Sequence, residues 1–157
     1  MISSLVMMST SEMRQDICEL VSKNSSLNEI LYTQPYIIAE IGVNHEGCLD
    51  LAKRQINEAA EGGADAVKFQ TYKAETIACV DSPSYWDTNK EKTKSQYELF
   101  KKYDKFWKNE FEILSEYACE AGVDFLSTPF DDESATFLAE LMPAYKISSS
   151  DLNNLPF

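Results

Sequence analysis

Four short apolar runs in this chain each end in side chains that can do chemistry. Tyr36 to His45 brings Glu40, Asn44 and His45, the one histidine of the protein. Ala64 to Gln70 brings Lys68 and Gln70, Asp124 to Thr128 brings Ser127 and Thr128, and Ala144 to Ser148 brings Lys146 and Ser148. A buried carboxylate is costly without a partner, so Glu40 belongs at a strand end, looking into a polar cavity. The plainer alternative is a carboxylate that caps neighbouring backbone. Side chains alternate along a strand, which puts Lys68 and Gln70 on one face and Lys146 and Ser148 on one face. A single lysine in an apolar strand is explained by one structural ion pair. Two of them point to a site for an anion.

The elements that must position these groups alternate along the chain. The run at 36–41 is apolar enough for a strand buried on both faces. Leu49 to Glu61 reads as a helix with Leu51, Ile56, Ala59 and Ala60 inward, stopped by Gly62-Gly63. Strands follow at 64–70, 124–128 and 144–148, with helices at 95–102, 109–121 and 132–141. Regular strand–helix alternation implies right-handed βαβ units and a parallel sheet. No GxGxxG follows the first strand and no GxxxxGK[ST] occurs, so neither dinucleotide nor P-loop binding is indicated. Reactive residues at the C-terminal ends of successive strands are the mark of a (β/α)₈ barrel. The sequence therefore predicts the α/β class and a parallel sheet of the TIM-barrel type, with about four strands in sequence order.

Composition narrows the partners. With Lys+Arg 14 against Asp+Glu 26, the 157-residue chain has a net charge of −12, which argues against nucleic acid and against anionic membrane surfaces. Four cysteines, widely spaced and without a CxxC pair, fit free thiols in the cytoplasm. No run approaches a transmembrane span, and the start lacks the basic segment of a signal peptide. Residues 1–33 read as a separate extension. Ser9 with Glu12 reads as a capping box, the spacing of Met13, Ile17, Leu20 and Val21 predicts one helical face, and Asn24-Ser25-Ser26 reads as the start of a polar linker.

The motifs IAEIGVNH at 38–45, GADAVKFQT at 63–71, FLSTPF at 125–130 and PAYKISSSD at 143–151 resemble the sialic acid synthase family. That family includes N-acetylneuraminate synthase, the legionaminic and pseudaminic acid synthases and the spore-coat polysaccharide proteins. The resemblance covers about 35–157 and implies a barrel enzyme of which residues 34–157 are the N-terminal half. Such an enzyme condenses phosphoenolpyruvate with an N-acylated aminosugar such as N-acetylmannosamine, yielding a nine-carbon 2-keto-3-deoxy sugar acid and phosphate. By the same resemblance, Lys68, Thr128, Lys146 and Ser149 would hold phosphoenolpyruvate, and Glu40 and Asp151 would be catalytic, Glu40 at the aminosugar and Asp151 near the attacking water. Gln70, Asn44 and His45 would be weaker pocket residues. The family also implies a divalent metal, Mn²⁺ or Mg²⁺, with its ligands expected after Phe157 and none within this chain. Full-length members are expected to be homodimers.

Three alternatives bear on activity. The chain acts as part of a synthase, it is an inactive or complementation-dependent half-barrel, or Lys68 or Lys146 forms a Schiff base as in an aldolase, the last being the weakest. The segment 71–108 holds Tyr85, Trp86, Tyr97, Phe100, Tyr103, Phe106 and Trp107, too aromatic for a solvated loop. It is expected to fold over the strand ends as a partial lid, with outer-ring helix packing as the alternative. Four strands cannot close a barrel, so open edges are expected at 36–41 and 144–148.

Overall fold

The computed structural model describes residues 6–8 and 35–157. The helix and linker expected before residue 34 lie outside the described residues. The elements in order are β1 (Val6–Met8), β2 (Ile38–Gly42), α1 (Leu49–Glu61), β3 (Ala66–Thr71), α2 (Ala74–Ile77), α3 (Gln96–Tyr103), α4 (Lys108–Glu120), β4 (Asp124–Pro129), α5 (Asp132–Leu138) and β5 (Ala144–Lys146). A 3₁₀ turn at Ser149–Asp151 follows.

Strands β2, β3 and β4 form one parallel sheet in sequence order, with Ile38 opposite Ala66 and Ala66 opposite Asp124. The chain is thus α/β with a parallel sheet, as its strand–helix alternation requires. Alternation along the strands separates two faces. Val67, Phe69, Phe125 and Ser127 face α1 and α4, where Ile56, Phe111 and Leu114 close the core. Phe69 stacks on Phe125 with centroids 5.6 Å apart and meets Phe111 edge-on at 6.4 Å. Burying each such ring contributes about 2–3 kcal/mol before its ordering cost.

Three expectations change. The fourth strand is shorter than 144–148 and is not hydrogen-bonded into the parallel sheet; it packs beside β4 and pairs antiparallel with β1, Val6 opposite Lys146. Ser148 ends it early, because its hydroxyl accepts from the Ser150 N–H and bends the chain into the 3₁₀ turn. One of the two expected open edges is therefore occupied by β1. The opening strand is not buried on both faces, since Ile37 is 48% and Ile38 45% exposed. As the outermost strand of its sheet, β2 has helices on one side only.

Candidate functional site

Parallel register sets Glu40 opposite Lys68 and Gln70 opposite Thr128, at the C-terminal ends of three adjacent strands. The Lys68 ammonium donates to Glu40 Oε2 and lies 3.4 Å from Thr128 Oγ1. The pair is unequal: the lysine side chain is 12% exposed and the glutamate 52%. A desolvated cation thus sits at the floor of the cluster, with a half-exposed carboxylate over it and a buried hydroxyl beside it. An incoming anion could displace Glu40 into water at little cost and take over the ammonium.

A β-bulge aims the carboxylate. Register shifts between Glu40 and Gly42, and Gly42 takes the left-handed φ of 59°. A Cβ there would lie 3.4 Å from Glu40 Oε1 and 3.5 Å from Gln70 Nε2, ordinary contacts. The cost of Gly42→Ala is therefore in the backbone, and the variant should lose about 1 kcal/mol of stability by denaturant unfolding. No measurable loss would mean that the bulge is not formed as described.

The other sequence candidates separate. Ser127 points away from Lys68, its hydroxyl 2.7 Å from that of Thr71 in the helix-side core. Lys146 donates to the Ile147 carbonyl, Ser149 is exposed, and Asp151 accepts from Ser150 at 3.1 Å. Among the described residues no hydrogen bond joins these three to the Glu40–Lys68 cluster. Asn44 is exposed; its N–H donates to the Ile41 carbonyl at 3.0 Å and its carbonyl accepts from Gln55 at 3.3 Å, with no hydrogen bond to the cluster.

His45 is not a surface base. It is 2% exposed, stacked on Phe106 at 4.1 Å and tilted against Phe69 at 6.0 Å. Burial pushes its pKa down to about 4. The unfolded chain binds that proton near pH 6.5, so protonation favours unfolding. Stability should be flat above about pH 6.5, fall by about 3 kcal/mol towards pH 4, and then level off as far as this group is concerned. His45→Phe should remove that component, measured as the difference in urea midpoint between about pH 7 and pH 4.5. Equal slopes in both proteins would contradict this burial.

A model of the NeuB family matches residues 55–157. The chain belongs to the NeuB family. It is 42% identical over 125 residues to N,N'-diacetyllegionaminic acid synthase of Legionella pneumophila, covering 78% of this chain and 35% of that protein. To human N-acetylneuraminate-9-phosphate synthase it is 38% identical over 126 residues, covering 78% and 34%. Among solved structures, the N-acetylneuraminic acid synthetase of Leptospira borgpetersenii superposes with a TM-score of 0.62 at 36% identity, covering 79% of this chain and 39% of that one. The spore coat polysaccharide biosynthesis protein SpsE of Bacillus subtilis gives 0.58 at 36%, covering 80% and 32%. The chain spans about a third of the length of the curated relatives it matches.

Within the NeuB match lie Lys68, Gln70, Thr128, Lys146, Ser149 and Asp151, while Glu40, Asn44 and His45 precede it. Among the described residues no three His, Cys, Asp or Glu side chains gather to hold a metal ion. Glu40 is engaged by Lys68 and His45 is enclosed by rings, so these residues alone do not fit a divalent cation.

Sequence reasoning missed the clamp at the base of segment 71–108. The Asp104 side chain, 2% exposed, accepts from Lys73 Nζ and the Ala74 N–H, both at 3.0 Å, and Lys73 lies over the Trp107 ring at 4.4 Å. The segment reaches the loop after β2 through Phe106 and His45, and the loop after β4 through Tyr72–Phe130 and Thr76–Asp131. Among the described residues, 79–95 make no hydrogen bond to the cluster, and Tyr85 is 74% exposed. The expected lid does not cover the half-exposed Glu40 in this structure. Helix α3 forms as expected, with Ser95 as its N-cap accepting from Glu98.

Proposed function

We propose that the chain forms the phosphoenolpyruvate-binding, N-terminal half of a barrel synthase. The whole enzyme would join phosphoenolpyruvate to an N-acylated aminosugar such as N-acetylmannosamine, giving a nine-carbon 2-keto-3-deoxy sugar acid and phosphate. The observation that carries this reading is the desolvated Lys68 ammonium between Glu40 and Thr128 at the ends of three parallel strands, in a NeuB-family chain.

In this reading Lys68 and Thr128 hold one end of phosphoenolpyruvate, and Lys146 and Ser149 the other. C3 of the enol attacks the open-chain aldehyde, water adds at C2, and phosphate leaves. Glu40, released from Lys68, turns to the aminosugar, and Asp151 takes the proton of the attacking water. Gln70 and Asn44 line the acceptor side. A divalent ion, manganese or magnesium, would need ligands from beyond these residues, so no step is assigned to it here. Homodimerisation of the whole enzyme belongs to the same reading, as does the division into an extension at 1–33 and a barrel half at 34–157. A cytoplasmic setting is supported by the exposed free thiols of Cys48, Cys79 and Cys119, and among the described residues no helix is long and apolar enough to cross a membrane.

A second reading, a half-barrel that acts only when complemented, is favoured by the exposed Ile37 and Ile38 beside the open edge of β2. Calorimetric titration tests the binding claim. The chain should bind phosphoenolpyruvate, and Lys68→Ala should weaken it at least about tenfold, since a charge-assisted partner is lost. Equal affinities would refute the assignment of Lys68.

A further inference from the structure

A small cavity of about 10 Å³ is lined by His45, Gln70, Tyr72, Tyr103 and Asp104 together with apolar side chains. That is room for a single water. His45 Nδ1 accepts from the Gly47 N–H at 3.1 Å, so in the neutral ring the proton is on Nε2. Nε2 is buried and has no partner among the described residues. A buried N–H that faces only polar neighbours too distant to bond it directly is the usual place of an ordered water.

We infer that this cavity holds one structural water, which accepts from His45 Nε2–H and donates to the Gln70 side-chain carbonyl, making His45 a positioning residue for Gln70. The Gln70 amide nitrogen faces Gly42, which leaves its oxygen for the water. Among the described residues no other hydrogen bond fixes that amide. The water's second donor bond goes to the Asp104 carboxylate, which already accepts from Lys73 and the Ala74 N–H and retains free lone pairs. One imidazole thereby ties three things together: the loop after β2 by its Gly47 bond, the base of the 71–108 segment by its stack on Phe106, and the end of β3 by water. Close contact supports the same joint, because a Cβ on Gly47 would come within 2.5 Å of Lys105 Cγ.

The functional weight of the inference rests on Gln70 lining the proposed substrate pocket, but its test needs no substrate. In ¹⁵N-labelled protein the His45 ring should show the Nε2–H tautomer at neutral pH, with a cross-peak from that proton to a long-lived water. In His45→Phe, which keeps an aromatic ring against Phe106, the Gln70 side-chain NH₂ signals should shift and exchange with solvent at least tenfold faster. Where that variant does not fold, Gln70→Leu supplies the reverse arm, and the His45 Nε2–H should exchange at least tenfold faster. An Nδ1–H tautomer, a missing water cross-peak, or Gln70 signals unchanged in folded His45→Phe would overturn the inference. Failure of phosphoenolpyruvate to bind would instead strike the proposed function and leave these signals as expected.

Discussion

Lys68→Ala, in the chain completed by a C-terminal barrel half, should lower kcat/KM for phosphoenolpyruvate by about 30- to 1,000-fold. The size follows from burial. The ammonium is only 12% exposed and is ringed by Glu40 and Thr128, so an anion held there has shed much of its water. Removing the one cation from such a contact costs about 2–4 kcal/mol, and each 1.4 kcal/mol is tenfold. Folding should suffer little, because the partner left behind, Glu40, is half-exposed and regains its hydration. Lys68→Arg should not restore full activity, since a planar fork cannot take the place of a compact ammonium beside Thr128. Steady-state kinetics with phosphoenolpyruvate varied at saturating aminosugar separates the effect. A loss of less than about threefold would remove Lys68 from the site.

The second large effect concerns the chain by itself. Residues 1–157 should release no phosphate from phosphoenolpyruvate in an aminosugar-dependent way, and activity should appear when a C-terminal half is added. Among the described residues no strand pairs with the outer edge of β2, and Ile37 and Ile38 are exposed, surfaces that a closed barrel would cover. Lys146, Ser149 and Asp151 have no hydrogen bond to the Glu40–Lys68 cluster, so the two halves of the anion site are not yet locked together. The described residues offer no cage for a divalent ion. Turnover by the metal-stripped chain alone would contradict this account.

How far the sequence foretold these results varied with the kind of feature. The bounds of helix α1 were legible to the residue, since its Gly62-Gly63 stop is a local signal, but its inward face was only partly so: Ala52 is buried where Leu51 was expected. The parallel strands were legible from their apolar runs, and Lys68 and Gln70 from strand parity. What needed contacts between distant segments was not. Whether Ser127 or Thr128 meets Lys68 depends on the register that sets Gln70 opposite Thr128, and no local signal carries it. His45 became a core ring because Phe106, sixty-one positions away, stacks on it. The exposure of Ile38 follows from β2 being outermost, a property of the assembled sheet. Helix α2 escaped notice because four residues carry no periodicity. The early end of β5 was in principle readable, as Ser148-Ser149-Ser150-Asp151 is a turn-forming composition.

The central claim is that phosphoenolpyruvate is held at the strand ends by Lys68 and Lys146. Titration of the ligand into protein with ¹⁵N-labelled lysine side chains tests it most directly. The Lys68 and Lys146 Nζ signals should move together with the backbone amides of Thr128 and Ser149, and Lys68→Ala should suppress the shifts at the remaining three. Saturating ligand that leaves Lys68 and Lys146 unmoved, or that shifts only residues on the outer helices, would contradict it.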